Sequence, residues 1–317
     1  MKTKENLRNR LTKRRKEILE GLGGLPEVEV KNREWLYLLG EETRFSIMIE
    51  GVFVSEDELE KILSGGRGET REAEDALNYF RTAKFIYGLG YENYRSGEFF
   101  LNLPLVRQVN HGVLGKGGEF RKGDISIAGT RFKPPDFHLI PELVEMWARW
   151  TEEYFNKLPV LTLASRSHIL FEIIHPFEDG NGRTGRILFN YTLISLGYPP
   201  VILKEEKEKY YRAIEEGERE FRKIRFEELN YPRLKDMMER MKTDKMEKLI
   251  FTSLRENMDL IIVSLFEKKK EKLLPADVVA EKMGYSKDSM RTLIKRGKFI
   301  GVKRGRKWYT HPELCLM

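Results

Sequence analysis

A polar loop at residues 175–186 carries most of the side chains in this chain that could do chemistry. It lies between two apolar stretches, residues 160–174 and 187–196, whose composition is typical of buried helices. Gly180 and Gly182 permit a left-handed backbone and a close approach to a ligand. The unpaired N–H groups that begin a following helix attract anions. The loop is therefore predicted to bind an anion rather than to pack.

The charged side chains of the same loop indicate what that anion is. Arg183 and Arg186 are three residues apart, so they project from one helical face and can hold a single polyphosphate. Asp179 supplies an oxygen ligand of the kind that Mg²⁺ prefers, and His175 can accept a proton near neutral pH. These residues predict a nucleotide-binding site with His175 as a general base. The alternative, a core histidine beside a helix-capping loop, gives no reason for two arginines and an aspartate to gather there.

The spacing His-x-Phe-x-Asp/Glu-Gly-Asn-Gly-Arg-x-x-Arg resembles the signature of the Fic (Fic/Doc) family, and residues 175–186 match it at every fixed position. The resemblance implies transfer of AMP from Mg·ATP to a hydroxyl group of a target protein. It implies that His175 deprotonates the attacking Ser, Thr or Tyr and that Asp179 holds Mg²⁺. The nucleotide would contact Asp179, Gly180, Asn181, Gly182, Arg183, Thr184, Gly185 and Arg186.

A second short pattern lies upstream, where an apolar helical stretch ends at Glu50 and Gly51. From the residues alone this is a helix C-terminus, and Glu50 is poorly placed because the helix dipole favours cations there. The resemblance changes that interpretation, because Ser46-x-x-x-Glu50-Gly51 is similar to the inhibitory motif of Fic proteins that carry their own restraint. It implies that Glu50 pairs with Arg186 and occupies the space of the γ-phosphate.

Residues 124–132 alternate in polarity around a central small-residue turn, which predicts a β-hairpin. A lone hairpin in a helical chain is marginal by itself, so we expect a functional role. The resemblance implies a flap that aligns an extended target segment by strand pairing. The alternative is a hairpin that only packs. The flap residues expected close to the nucleotide are Ile127, Ala128, Gly129 and Thr130.

Other polar residues near the loop have two interpretations each. The resemblance implies that a tyrosine pair, Tyr210 and Tyr211, flanks the adenosine, with Tyr210 as the candidate contact, and packing in the core explains either ring equally well. Asn190 would either approach the nucleotide or bond a neighbouring helix. His111, His138 and His168 show no metal-ligand spacing and are assigned structural roles.

Composition excludes several classes of protein. The chain has 317 residues, 40% of them hydrophobic and 34% charged, which describes a globular protein with room for two domains. No apolar run approaches the ~20 residues of a membrane-spanning helix, and the charged N-terminus lacks the apolar core of a signal peptide. The single cysteine, Cys315, excludes an internal disulfide and favours a cytoplasmic location.

The positive charge of the chain is concentrated near its C-terminus. Residues 267–313 carry 14 Lys and Arg against 6 Asp and Glu, an excess of 8, whereas the whole chain has a net charge of only +7. A local field of one sign indicates an acidic partner, most often nucleic acid.

The same segment has the pattern of a helix-turn-helix. A short helix, a turn at Gly284 and a second helix over residues 287–296 precede an alternating stretch, residues 299–309. This order resembles the winged helix-turn-helix of excisionase-like DNA-binding modules, and the alternative is a winged helix that contacts protein. The candidate DNA contacts are Lys287, Arg291, Lys295, Arg304 and Arg306.

The expected fold is mainly α: a Fic-type helical core with a short β-hairpin flap and a small C-terminal winged-helix domain. The expected segments are an N-terminal helical region with the inhibitory motif (1–98), a Fic catalytic core (99–230), a helical connector (231–264) and the winged helix-turn-helix (265–317). Residues 1–33 are expected to form one or two surface helices, and residues 233–265 are expected to be helical.

Three functions fit this organisation. The first is a protein adenylyltransferase that uses Mg·ATP to modify a target protein or itself. In this interpretation Glu50 inhibits the enzyme, and the C-terminal module brings it to DNA. The second is a DNA-binding regulator whose Fic core senses nucleotide. The third is a bifunctional enzyme that also removes AMP, with Glu50 positioning water. The resemblance also implies a homodimer, and no membrane association is expected.

Overall fold

A computed structural model describes residues 6–28, 32–66, 70–126, 132–204 and 207–317. Its secondary structure is mostly helical, as the sequence predicts. The helices are α1 (Leu7–Gly21), α2 (Arg33–Ile49), α3 (Glu56–Leu63), α4 (Arg71–Ser96), α5 (Leu103–Leu114), α6 (Ile140–Tyr154), α7 (Val160–Ile174), α8 (Asn181–Ser195), α9 (Lys207–Phe221), α10 (Tyr231–Arg240), α11 (Asp244–Lys269), α12 (Ala276–Lys282) and α13 (Lys287–Lys295). The strands are β1 (Leu274–Pro275), β2 (Phe299–Arg304) and β3 (Lys307–Cys315).

The chain divides into two compact units. The larger contains residues 27–196 and 200–250, and the smaller contains the described residues up to Pro26 together with residues 197–199 and 251–317. Helix α11 supplies residues to both. Among the described helices, none combines the length and the apolar character that crossing a bilayer requires.

Helix α8 is the centre of the larger unit. Every residue of α8 except Gly182 is buried, because α2, α4, α5 and α7 all pack against it. Two glycines make this close packing possible: a Cβ on Gly90 of α4 would lie 3.1 Å from the carbonyl oxygen of Tyr191, and one on Gly185 would lie 2.3 Å from Oε1 of Glu172. A helix enclosed in this way fixes the direction of every side chain at its N-terminus.

Local signals set the ends of the helices around α8. Asn102 accepts from the N–H of Leu105 at 2.9 Å to cap α5, which ends at Gly115 in the left-handed conformation. Ser55 and Glu58 form a capping box at the start of α3. Caps of both kinds are readable in the sequence.

Three predictions of secondary structure compare as follows. The connector is helical as expected, with a break between α10 and α11. Of the one or two surface helices expected over residues 1–33, the described part contains α1, which has one buried face. Residues 124–126 and 132 are not in strands, and residues 127–131 lie outside the described part of the chain, so the hairpin stays a prediction.

The smaller unit contains two short helices joined by a turn, at the place where a helix-turn-helix is expected, and a small sheet. Helices α12 and α13 join at a turn where Gly284 has φ of 72°. The sheet has the order β1-β3-β2, all antiparallel, with Val302 opposite Tyr309. Its core is a cluster of side chains from both helices and β2: Ala276, Val279, Ala280, Met290, Ile294 and Phe299.

A buried ion pair holds the helical part of this unit together. Arg15 on α1 is fully buried, and its Nε lies 2.8 Å from Oδ1 of Asp259 on α11. Its Nη1 donates to the carbonyl of Gly297 at 2.9 Å, which ties in the turn after α13.

Removal of one member of this pair is expected to destabilise the smaller unit strongly. Asp259→Ala leaves a buried guanidinium without a counter-ion, which costs about 3–5 kcal/mol. The control is Glu17→Ala, which removes the partner of exposed Arg14 and changes stability by less than about 1 kcal/mol. Urea denaturation followed by circular dichroism measures both, and similar values for the two variants would contradict the structural role of Arg15.

Candidate active site

His175 is the C-cap of α7, and its backbone is left-handed, with φ of 49° and ψ of 62°. Three bonds hold it there. Its N–H donates to the carbonyl of Phe171 at 3.0 Å, its Nδ1 lies 3.3 Å from the carbonyl oxygen of Glu172, and its own carbonyl accepts from Nε of Arg121 at 3.0 Å. Because Nδ1 faces a carbonyl, it carries the proton, and Nε2 is left as the proton acceptor.

The surroundings of His175 keep its imidazole neutral. The pKa of His175 is lowered from 6.5 to about 4, mainly by burial; the Glu172 carbonyl and Glu50 act to raise it, and the charge of Arg121 also lowers it. At neutral pH the side chain is therefore in the form that can take a proton from a hydroxyl group.

The loop after His175 is shaped as an anion cradle. Gly180, with φ of 75°, is the N-cap of α8, so the first N–H groups of the helix are left for a ligand. The side chain of Asn181 is used within the loop: it accepts from the N–H of Phe177 and donates to its carbonyl, both at 2.8 Å. Asn181 thus shapes the cradle, and the backbone N–H groups form its lining.

Two buried arginines project from the first turns of α8. Arg186 is 1% exposed and Arg183 is 7% exposed. In each, Nε and Nη1 have no hydrogen-bond partner among the described residues. Nη1 of Arg183 lies 3.7 Å from Asp75 on α4, and Nη2 lies 3.5 Å from Asp179. Buried donors without partners are unfavourable, so this pair indicates a site for an anion.

Glu50 occupies part of that site. It is the residue directly after α2, and its Oε1 accepts from Nη2 of Arg186 at 2.7 Å. The same Nη2 donates to the carbonyl of Ser46 at 2.8 Å. Burial alone would raise the pKa of Glu50, but the charge of Arg186 lowers it, so the carboxylate is ionised. A Cβ on Gly182 would lie 2.4 Å from Oε1 of Glu50, so this contact needs a glycine there.

Behind the arginines lies a buried cluster that faces away from solvent. Burial raises the pKa of Glu172 to about 8 and lowers that of His168 to about 3. The hydroxyl of Tyr210 lies 2.8 Å from Nε2 of His168. The structure therefore favours core packing for Tyr210, whereas Tyr211 is 41% exposed on the next helical position. Among the histidines with predicted structural roles, His168 is bonded inside the core.

The remaining predicted contacts divide into two groups. Thr184 and Gly185 are buried on the inner face of α8, where Thr184 Oγ1 accepts from Asn110 at 3.2 Å. Both residues therefore contribute to helix packing. Asn190 lies among helices and donates to the hydroxyl of Tyr87 at 3.0 Å, in agreement with the packing interpretation. Ile127, Ala128, Gly129 and Thr130 lie outside the described residues.

Sequence reasoning missed Asn110 and Asp75. Nδ2 of Asn110 donates to the carbonyl of Asp179 at 3.0 Å, so it holds the loop residue expected to bind metal. The signal was available: Asn110 is a polar residue on the buried face of α5, beside Val106 and Val113. Asp75 on α4 carries no such signal, because its position beside Arg183 depends on the tertiary fold.

The donor set fits Mg·ATP. The carboxylate of Asp179 is 75% exposed, so it can take a metal ion, although its Oδ1 also accepts from the N–H of Gly180 at 2.6 Å. The cradle and the partnerless N–H groups of Arg183 and Arg186 match the charge of a polyphosphate.

A second cluster of metal-ligand types lies in the smaller unit and does not fit a metal. Oε1 of Glu271 is 2.9 Å from Nε2 of His311, and Glu313 is close to both. The N–H of Glu313 donates to Nδ1 of His311 at 3.3 Å, so the proton of the neutral ring is on Nε2 and is donated to Glu271. Lys270 pairs with Glu313. Hydrogen bonds and an ion pair thus account for the cluster.

The candidate DNA contacts are mostly exposed. Lys287, Arg291 and Lys295 lie exposed on α13, and Arg306 is exposed at the β2–β3 turn. Arg304 is exposed as well, but it is already paired, because its Nη1 and Nη2 donate to the two carboxylate oxygens of Glu267, at 3.0 and 2.6 Å. Its charge is already balanced, so Arg304 is a weaker candidate than the sequence indicates.

Comparisons with known proteins agree with this geometry. The Fic/DOC family model matches residues 100–193. The chain is 34% identical over 297 residues to a probable protein adenylyltransferase of Aquifex aeolicus, a match that covers 89% of this chain and 88% of that protein. The chain therefore belongs to the Fic/DOC family.

More distant relatives match the central part of the chain. Protein adenylyltransferase Fic of Drosophila melanogaster is 36% identical over 116 residues, which are 34% of this chain and 23% of that protein. The fold is similar to that of a Fic domain containing signaling protein from Bacteroides thetaiotaomicron, with a TM-score of 0.66 at 20% identity over 80% of this chain and 97% of that one.

The imidazole of His175 is expected to stay neutral at every pH above about 4, the value that its burial produces. Nuclear magnetic resonance of ring-labelled histidine, with the His175→Ala variant for assignment, measures the titration. In urea the same ring should titrate near its ordinary pKa of about 6.5. Since the unfolded chain binds the extra proton first, stability should fall as pH decreases from 6.5 towards 4. A folded-state midpoint near 6.5 would show that the ring is solvated.

Proposed function

We propose that this chain is a protein adenylyltransferase that transfers AMP from Mg·ATP to a Ser, Thr or Tyr hydroxyl of a target protein or of itself. One observation carries the proposal: a neutral, oriented imidazole lies at the entrance of an anion cradle lined by two buried arginines with unpaired donors. A nucleotide sensor needs the cradle and the arginines, but it does not need the base.

The chain's own residues divide the work of binding. The N–H groups at the start of α8 hold the α- and β-phosphates, and Arg183 and Arg186 hold the β/γ end. Asp179 would hold Mg²⁺, with its carbonyl fixed by Asn110. The chemistry that this ion would supply is neutralisation of phosphate charge.

Transfer then requires one displacement. Nε2 of His175 accepts the proton of the target hydroxyl, and the hydroxyl oxygen forms a bond to the α-phosphorus. The bond from that phosphorus to the oxygen bridging to the β-phosphate breaks, and pyrophosphate leaves with the electron pair. The rate depends mainly on how well the chain positions these groups.

Glu50 is proposed to inhibit this reaction. Its carboxylate takes the Nη2 donor of Arg186 and lies against Gly182, where the terminal phosphate would approach. Nucleotide and Glu50 therefore compete for one guanidinium. Removal of the carboxylate frees that donor for phosphate.

Incubation with α-labelled ATP and Mg²⁺ tests both proposals. Glu50→Gly is expected to raise AMP incorporation at least tenfold over the unaltered chain, because the donor becomes available, and His175→Ala should abolish incorporation. Glu41→Gln is the control and should change little, because Glu41 lies in α2 and its carboxylate is paired with Arg44, at 3.9 Å, instead of Arg186. Absence of label in both the unaltered chain and Glu50→Gly would remove the enzyme proposal.

The two alternative functions give different results in the same assay. A regulator whose Fic core only senses nucleotide binds ATP but incorporates no label. A bifunctional enzyme releases AMP when its labelled product is returned to the unaltered chain, and Glu50→Gly should lose that release. A homodimer and a cytoplasmic location follow from the resemblance and from composition, and light scattering and fractionation test them.

We also propose that residues 265–317, within the smaller unit, form a winged helix-turn-helix that binds DNA. The exposed positions of Lys287, Arg291 and Lys295 on α13 support a basic face, with Arg306 on the β2–β3 turn beyond it. The excess of 8 positive charges in residues 267–313 supports an anionic partner.

DNA affinity of the full chain is expected to fall steeply with salt. Replacement of Lys287, Arg291 and Lys295 by alanine should reduce the slope of log K against log salt by about 0.9 for each lost phosphate contact. In the wing, Arg304→Ala should reduce DNA affinity less than Arg306→Ala does, because Arg304 is already paired with Glu267. Fluorescence anisotropy with duplex DNA measures this, and affinity unaffected by the triple replacement would exclude this face.

A further inference from the structure

Arg121 lies in the connection between α5 and α6 and is buried, with 3% of its surface exposed. Each guanidinium nitrogen donates to a different backbone carbonyl: Nε to His175 at 3.0 Å, Nη1 to Gly123 at 3.0 Å, and Nη2 to Pro135. Its own N–H donates to the carbonyl of Pro176 at 3.0 Å. One residue thus joins the catalytic loop to two points of the connection.

The position requires an arginine. The carboxylate of Asp124 lies 3.8 Å from Nη1 and is half exposed, so it offsets little of the unfavourable burial of the charge. Three donors in a rigid planar fork match three carbonyl groups, which an ammonium group or an amide does not reproduce. A residue that only filled space here would not need this geometry.

The contact with His175 bears on the chemistry. A left-handed backbone is strained for a residue with a side chain, and it persists where the surroundings fix it. The N–H and Nδ1 of His175 are fixed from α7, and its carbonyl is fixed by Arg121. These three anchors determine the direction in which Nε2 points.

The other two contacts bear on the target. Gly123 and Pro135 flank residues 124–134, the stretch that the Fic resemblance associates with target binding. The same side chain therefore connects the proton acceptor to both ends of that stretch.

We propose that Arg121 is a positioning residue for adenylyl transfer: its fork holds the backbone of His175 in register with Gly123 and Pro135, so that Nε2 meets the incoming hydroxyl. The inference rests on the proposed function. Arg121 is not expected to touch the nucleotide, so its replacement should slow transfer and leave Mg·ATP binding intact.

The test uses full-length Glu50→Gly chain as parent and compares Arg121→Lys with Arg107→Lys. Arg121→Lys keeps the positive charge and loses the planar guanidinium with its three donors. Arg107 donates to the carbonyl of Gly118 at 2.9 Å, outside the catalytic loop, and is the matched control. AMP incorporation from α-labelled ATP should fall roughly 10- to 100-fold in Arg121→Lys, because small misplacements of reacting groups have effects of that size. The dissociation constant of Mg·ATP, measured by calorimetry, should change less than about threefold.

A second variant separates position from charge. The charged groups that act on His175 are Arg121 in the connection and Glu50 directly after α2, whereas Glu172 on α7 acts through its backbone carbonyl. Arg121→Gln removes the charge as well as the fork, so the pKa of the His175 ring should rise. In Arg121→Lys the charge stays, and the nuclear magnetic resonance spectrum should show loss of the single Nδ1–H form.

The outcomes are distinct. No label in the Glu50→Gly parent overturns the proposed function and this inference with it. Label in the parent and equal label in Arg121→Lys overturns the inference alone. Loss of Mg·ATP binding and of thermal stability in proportion to loss of label would show a structural role only, and would also overturn it.

Discussion

Arg186 is a cation enclosed by the core, and the arrangement of the site follows from how that charge is balanced. A buried guanidinium without an anion is strongly unfavourable. Burial disfavours the charged form of both nearby carboxyl groups: it raises the pKa of Glu42, and it raises that of Glu172 to about 8, so Glu172 is mostly neutral at neutral pH. The counter-ion of Arg186 is therefore Glu50, whose Oε1 lies 2.7 Å from Nη2 of Arg186. Under the proposed function a phosphate takes the same place, so substrate binding and inhibition are alternative ways of satisfying one charge.

The fold gives this charge its fixed position. Helix α8 is buried along its length, so its arginines do not rearrange when a ligand arrives. Donors held in advance, in a region with little water, stabilise developing negative charge more than mobile side chains do. The same burial lowers the pKa of His175, so one physical cause supplies both the anion site and the base.

The sequence predicted the site where its parts are local. Residues 175–186 contain base, cradle and arginines within one loop and one helical turn, so spacing alone indicated their chemistry. Glu50 required the family resemblance, because its partner is 136 positions away. Arg121 and Asp75 had no local signature, since what they contact is decided by packing. Tyr210 and Tyr211 are consecutive residues of α9, and the periodicity of the sequence did not show which of the two rings is buried.

Glu50 lies one position beyond the last residue of α2, and Gly51 follows it with φ of 87°. Helix ends fray far more readily than whole helices move, because only terminal hydrogen bonds open. Withdrawal of the carboxylate thus requires unwinding at one terminus, and the body of α2 can stay packed. Any event that pulls on the segment between α2 and α3 acts directly on this terminus, which makes that short connection a natural point for control by tension or by a docked partner.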